Sequence, residues 1–258
     1  MKLASMMKKG RMLVLAYDHG MEHGPTDFND KNVDPNYIMQ LAKATKLPIV
    51  LQKGLAEKYY DKSVPLILKL NGKTNLYKGE PYSPPLATVA EAVKMKAEAV
   101  GYTVYIGSKY EAKMFKEFEL VQREAHKKGL PVMLWVYPRG KSVKNDTDKD
   151  VLAYAARVGL ELGADVVKLK YPGSVRAFKW VVKSAGEVKV VVAGGVKKDV
   201  KGLLKQTYDI VKSGGAGLAV GRNVWQYDKP KLIVKALKDI IFKNKTVDEV
   251  MHNDSGKL

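Results

Sequence analysis

Eight short apolar runs, each followed by a turn and most by an amphipathic helical segment, leave few folds open to this chain. The runs cover about 12–17, 48–53, 66–70, 101–106, 131–137, 165–170, 188–193 and 216–220. Their length, β-branched content and flanking turn residues mark them as strands. Strand, helix, strand repeated in this way requires right-handed crossovers and a parallel sheet. The helical segments read at 35–45, 85–98, 110–128, 148–162, 175–185, 198–213 and 230–242. In the second of these, Leu86, Val89, Val93 and Ala97 form the expected inward face. Asp148 or Thr147 is placed to cap the fourth and Ser174 the fifth. A short helix at about 246–252 and a loose tail from Asn253 close the chain. Between the second and third runs, Gly54 to Val64 leaves room for a short helix only. A closed barrel and a doubly wound open sheet therefore compete on pattern, and the 258-residue length suits a single (β/α)8 barrel over residues 1–258.

The chain has no cysteine, which excludes disulfides, thiol catalysis and thiolate metal sites. Its amino terminus is basic but holds no apolar run of signal-peptide length, and no segment approaches a membrane span. The expected location is cytoplasmic. A formal charge of +18 calls for an anionic partner. The lysines are spread along helical segments rather than gathered in an arm, and no zinc-finger or helix-turn-helix spacing is present, so nucleic acid is not the expected anion. Lysine and glutamate enrichment without cysteine also suits a heat-stable protein.

In a parallel barrel the chemistry sits at the carboxyl ends of the strands. Polar residues and glycines gather there: Asp18-His19-Gly20, Gln52-Lys53-Gly54, Lys69-Leu70-Asn71-Gly72, Trp135-Val136-Tyr137-Pro138-Arg139, Lys168-Leu169-Lys170, Gly194-Gly195 and Gly221-Arg222-Asn223. Gly194-Gly195 and Gly221-Arg222 end the last two strands, where backbone amides can approach an oxyanion and an arginine can fork onto phosphate. Lys168 and Lys170 share one face of the sixth strand. A buried lysine is neutral, paired or chemically used, because an unpaired ammonium carries a large desolvation penalty; an exposed edge strand with ordinary lysines is the alternative. With Lys170 as a cationic neighbour, Lys168 can lose its proton and attack a carbonyl to give an imine. Tyr137, ending the adjacent strand, can exchange a proton with the product of that attack, and Asp18 can orient a hydroxyl or stabilise an iminium. The spacing His19-Gly20-Met21-Glu22-His23 fits an inverted zinc-peptidase motif, but that motif needs a helix and the glycines and Pro25 predict a loop.

Taken together, the stretches Leu15 to Pro25, Leu66 to Thr74, Trp135 to Gly140, Val167 to Tyr171 and Gly221 to Gln226 resemble the archaeal-type class I fructose-1,6-bisphosphate aldolases of the DeoC/FbaB aldolase family. The resemblance covers nearly the whole chain. It implies a single barrel, no metal or cofactor, a phosphorylated sugar as substrate and a homodecamer built as a pentamer of dimers. It also implies that Lys168 forms the Schiff base with the C2 carbonyl, that Tyr137 transfers protons and that Asp18 steadies the covalent intermediate. The implied substrate-binding residues are Trp135, Arg139, Gly194, Gly195, Gly221, Arg222, Lys53, Lys170 and His19. Of these, the two glycine loops serve the C1 phosphate, and Arg139 and Lys53 the C6 phosphate. Ala193 stands where the family often has serine, so one hydroxyl contact is missing. A transaldolase that makes an amino-dideoxy-heptulosonate with the same kind of lysine is the alternative, and a sugar-phosphate binder without activity is a third.

Overall fold

The computed structural model describes residues 3–253, so the expected tail lies, from 254 onward, outside the described residues. Its strands are β1 (Met12–Ala16), β2 (Ile49–Gln52), β3 (Leu66–Lys69), β4 (Ala99–Ile106), β5 (Val132–Pro138), β6 (Val166–Leu169), β7 (Lys189–Ala193) and β8 (Gly217–Val220). Each pairs in parallel with the next, and β8 pairs with β1, so the sheet closes into a barrel. Every strand lies within two residues of its predicted run.

Helices wrap the barrel. They are α1 (Leu3–Met6), α2 (Gly20–His23), α3 (Pro35–Thr45), α4 (Lys53–Tyr59), α5 (Val89–Lys94) and α6 (Glu111–Lys127) in the first half. The second half adds α7 (Lys149–Glu161), α8 (Val175–Ser184), α9 (Val200–Lys212), α10 (Arg222–Trp225), α11 (Pro230–Lys243) and α12 (Val247–Asn253). Asp148 caps α7 by accepting from the amides of Asp150 and Val151, and Ser174 caps α8 through the amide of Ala177. Each such cap contributes about 1 kcal/mol. The short second crossover is met by α4, two turns that suffice to carry the chain back for parallel pairing of β2 with β3.

The helix expected over 85–98 is much shorter. Thr88 and Glu91 form a capping box that starts it at Val89, and Lys96 leaves it in left-handed backbone at φ 60°. Val89 and Ala92 pack inward, whereas Leu86 and Val93 face solvent. The loop predicted around His19 to His23 contains one helical turn, α2, followed by a 3-10 turn at Gly24–Asp27.

Side-chain alternation divides the strands between two cores. Outward residues such as Leu13, Leu51, Leu68, Val104, Val167 and Leu218 pack beneath the helices. Inward residues Met12, Val14, Val50, Ile67, Met133, Val166 and Val191 fill the barrel, and Met6 of α1 joins them. Towards the carboxyl ends the inward positions become small, with Ala16, Ala193, Ala219 and Gly221 on one side, and there the packing gives way to a cavity. No helix of the described residues is long and apolar enough to cross a membrane.

Candidate active site

The cavity at the carboxyl ends of the strands measures about 460 Å³. Asp18, His19, Trp135, Tyr137, Arg139, Lys168, Lys170, Gly194, Gly195, Gly221 and Arg222 all line it. Lys53 does not. It is the first residue of α4, half exposed, and its ammonium meets Glu91 of α5 at 2.9 Å. Gln52 takes the inward place, its Nε2 donating to the carbonyl of Asn71 at 3.1 Å.

Lys168 is 6% exposed, with its Nζ 4.8 Å from the centre of the Trp135 indole on the neighbouring strand. It makes no hydrogen bond to any described residue. Burial pushes its ammonium below the usual lysine range, opposed by the negative charges of Asp18 and Glu22. Trp135 itself can lie in this position because β4 carries Gly101 beneath it. A Cβ there would stand 2.6 Å from the indole Cη2 and Cζ3.

The cationic neighbour expected in Lys170 is instead Lys69. Strand β6 ends at Leu169, so Lys170 leaves the sheet and its ammonium pairs with Asp146 at the cavity rim. Lys69, 3% exposed at the end of β3, places its Nζ 5.4 Å from the centre of the same indole. Its ammonium donates to both the carbonyl and the Oδ1 of Asn71, each at 2.7 Å. Asn71 is in turn fixed by the Thr103 amide at 2.8 Å and by its own Nδ2, which donates to the carbonyls of Ser83 and Thr103. Sequence placed Lys69 and Asn71 at a strand end but gave them no task, since the contact is made across three strands.

Tyr137, one alternation beyond Trp135, faces the same cavity. Burial first, then Asp18 and Glu22, raise its phenol well above the ordinary range. Glu22 is the other group that sequence left without a role here. From α2 it meets Arg139 at 2.6 Å, and that guanidinium holds its carboxyl below the usual range despite burial. In the H-x-x-E-H stretch, His23 pairs with Asp27 at 3.4 Å and His19 stacks on Trp225 at 5.3 Å, so the three side chains point to different partners. Burial pushes the His19 imidazole down to about 4, which leaves it neutral, and its Nε2 has no hydrogen-bond partner.

The two glycine loops meet as expected, with a difference in which amides face the cavity. The Gly194 amide donates to the carbonyl of Ala219 at 3.0 Å and is spent on the sheet. Gly195, at φ +71° with open space around its Cα, is the member free to approach an anion. Asn223 locks the loops together: its Nδ2 donates to the carbonyls of Gly194 and Val196 at 2.8 and 2.7 Å, and its Oδ1 accepts from the Lys198 amide at 2.8 Å. Arg222 borders the same corner and is paired with Asp27 at 3.2 Å. Both arginines at the cavity are thus countered by carboxylates from one segment between β1 and α3.

The cavity thus brings together a buried lysine, a phenol and a glycine-arginine corner, and known proteins resemble the chain over most of its length. Residues 12–227 match the DeoC/LacD aldolase family. The class 1 fructose-bisphosphate aldolase of Thermoproteus tenax is 49% identical over 249 residues, which is 95% of each chain. A Methanocaldococcus jannaschii protein described as fructose-bisphosphate aldolase/6-deoxy-5-ketofructose 1-phosphate synthase is 36% identical over 95% of this chain and 86% of its own. The solved structure of an archaeal fructose-1,6-bisphosphate aldolase, its catalytic lysine bound to the carbinolamine intermediate of the substrate, superposes with a TM-score of 0.91 at 48% identity. That superposition covers 93% of this chain and 98% of the other. On this identity and coverage, the chain belongs to the DeoC/LacD family of aldolases.

Proposed function

We propose that this protein is a metal-independent Schiff-base aldolase that reversibly cleaves fructose 1,6-bisphosphate into dihydroxyacetone phosphate and glyceraldehyde 3-phosphate. The observation that carries the reading is Lys168: a buried amine with no acceptor of its own, on the wall of a polar cavity beside Tyr137. A side chain so placed is costly for stability and useful as a nucleophile. The relatives at 49% and 43% identity favour the cleavage reaction over the transaldolase alternative.

Lys168 attacks the C2 carbonyl, and loss of water gives an iminium. Tyr137, made a phenolate by loss of its own proton to solvent once the iminium stands beside it, takes the proton of the C4 hydroxyl while the C3–C4 electrons move into the iminium, which becomes an enamine as glyceraldehyde 3-phosphate departs. Tyr137 then returns a proton to C3, and water releases dihydroxyacetone phosphate. Asp18 lies near enough to both lysines and to Tyr137 to shape their charge, which suits it to balance the iminium. Trp135 forms the wall on which the reacting carbons rest. Gly195, Gly221 and Arg222 receive the C1 phosphate, with Gly194 supporting the turn, and Arg139 the C6 phosphate, joined by Lys170 at the rim. His19, kept neutral, borders the C1 end.

We also assign the whole chain, 1–258, to one catalytic domain acting in the cytoplasm in glycolysis and gluconeogenesis, heat-stable and assembled as a homodecamer. Light scattering of the purified protein tests the assembly. The deciding experiment for the chemistry is borohydride trapping of EDTA-treated protein with fructose 1,6-bisphosphate, followed by peptide mass mapping. An adduct on Lys168 and a Lys168→Ala variant that folds but has lost all cleavage are the expected results. A Lys168→Ala variant that cleaves at the parent rate would overturn the assignment.

A further inference from the structure

In the H-x-x-E-H stretch the carboxylate of Glu22 holds the tip of Arg139, and that arginine is fixed at two further points. Its Nη1 donates to Oε1 of Glu22 at 2.6 Å. Its guanidinium carbon lies over the Tyr105 ring, 5.1 Å from the centre. Its amide donates to the carbonyl of Ile106 at 3.0 Å, and the next residue, Gly140, lies so near the carbonyl of Gly107 that a Cβ would stand 2.3 Å from it. Backbone, ring and carboxylate together leave the fork little freedom. A guanidinium has five N–H groups, so several remain for a ligand in the cavity that Arg139 lines.

We propose that Glu22 is a positioning residue that aims Arg139 at the second phosphate of the substrate and so sets the preference for a doubly over a singly phosphorylated sugar. This rests on the reading of the cavity as a fructose 1,6-bisphosphate site. An arginine side chain free to rotate loses much of that freedom when it grips a phosphate, and the loss counts against binding. Here the ordering is done before substrate arrives. A two-bond grip on phosphate also asks for a set plane and a set direction. The Tyr105 ring sets the plane and the Glu22 carboxylate the direction.

The neighbouring charges single out this pair. Lys73, another cation near Glu22, gives its N–H groups to the carbonyl of Thr74 at 2.9 Å and to Oδ1 of Asn75 at 2.8 Å. The Asn75 amide in turn donates to the carbonyl of Glu22 at 2.9 Å, which ties α2 to the loop after β3. His23 of the same stretch turns to Asp27, whose carboxylate serves Arg222 at the glycine corner. Fructose 1-phosphate and fructose 1,6-bisphosphate both carry the phosphate assigned to that corner, so Asp27 cannot tell them apart. Glu22 acts where they differ. Its charge also reaches Lys168 and Tyr137, but any effect on the chemistry is common to both substrates and cancels in the ratio of their kcat/KM values.

The test measures that ratio, fructose 1,6-bisphosphate over fructose 1-phosphate, in the parent, Glu22→Ala, Glu22→Gln, Arg139→Met and the Glu22→Ala/Arg139→Met double variant, with melting temperatures to establish folding. Glu22→Ala is expected to lower it about tenfold, chiefly through KM for the bisphosphate, the size of one lost hydrogen bond to a charged group. Glu22→Gln keeps an oxygen for the guanidinium and is expected to recover most of that loss. With Arg139 already replaced, Glu22→Ala should change the ratio no further. An unchanged ratio in Glu22→Ala would overturn the proposal, and a raised one would do so by showing a carboxylate that competes with phosphate. Equal losses in Glu22→Gln and Glu22→Ala would mark charge rather than aim and overturn it as well. So would a tenfold fall that persists in the Arg139→Met background, because Glu22 would then act without the arginine. A parent that cleaves neither substrate would instead bring down the aldolase reading itself.

Discussion

The Tyr137 hydroxyl holds its proton firmly, because burial and the nearby carboxylates of Asp18 and Glu22 all oppose a phenolate. In the proposed mechanism, a positive iminium on Lys168 acts in the opposite sense. On that mechanism Tyr137 therefore gives up its proton to solvent and becomes a usable base only after the covalent bond to substrate exists, which protects the ring from idle ionisation. Tyr137→Phe is expected to leave imine formation at Lys168 intact while lowering turnover by about 10²–10⁴-fold. Comparing borohydride trapping with the steady-state rate checks it, and unchanged turnover would remove the role. At this scale the sequence was readable where alternation alone decides: Lys168, Trp135 and Tyr137 point inward because their neighbours point out. It was not readable where a helix begins or a strand stops. Lys53 turns away because α4 starts on it, and Lys170 leaves the sheet one residue after β6 ends. Lys69 and Asn71 become a pair only through contacts with β4 and the Ser83 loop, which no local pattern encodes.

Among the elements, the loops after β7 and β8 are joined by one buried side chain. Asn223 is fully buried and makes three hydrogen bonds to the opposite loop. Asn223→Ala leaves two carbonyls and an amide without that partner, at a cost of about 1–3 kcal/mol. It should loosen the Gly195 turn more than the lysine, so KM for fructose 1,6-bisphosphate is expected to rise about tenfold or more with a smaller change in kcat. Steady-state kinetics decides between this and a general loss. On α11, Asp239 is 4% exposed and receives Lys243 at 2.6 Å and Lys245 at 3.1 Å. These ammonium groups hold its carboxyl below the usual range, although burial pulls the other way. The depressed pKa makes its contribution full above the unfolded carboxyl value and lost as pH falls through the folded one. Asp239→Asn should cost about 1–3 kcal/mol at pH 7, with the difference from the parent shrinking in acid. Urea unfolding at several pH values measures it. The existence of every strand was legible from apolar runs, whereas the length of α5 was not: its end is set by the turn at Lys96, not by the periodicity that Leu86 and Val93 continue into solvent.

For the whole molecule, a charge of +18 surrounds a site whose own arginines are each matched by a carboxylate. Long-range attraction comes from the surface and local selection from the cavity. Surface attraction is screened over a Debye length of about 10 Å at 0.1 M salt. The kcat/KM for fructose 1,6-bisphosphate is therefore expected to fall several-fold as ionic strength rises, and that for fructose 1-phosphate to fall less. Parallel salt titrations of the two substrates provide the check; equal slopes would show that the surface charge serves another purpose. Closure of the sheet also has a consequence for traffic. Met6, Met12, Val14, Met133 and Val166 leave the barrel solid behind the lysines, so among the described residues the chamber opens at the carboxyl ends of the strands. Whatever enters must leave the way it came. In the proposed mechanism, a three-carbon unit bonded to Lys168 then waits behind the aldehyde held towards the rim, and the order in which the two products depart follows from architecture before any affinity is considered.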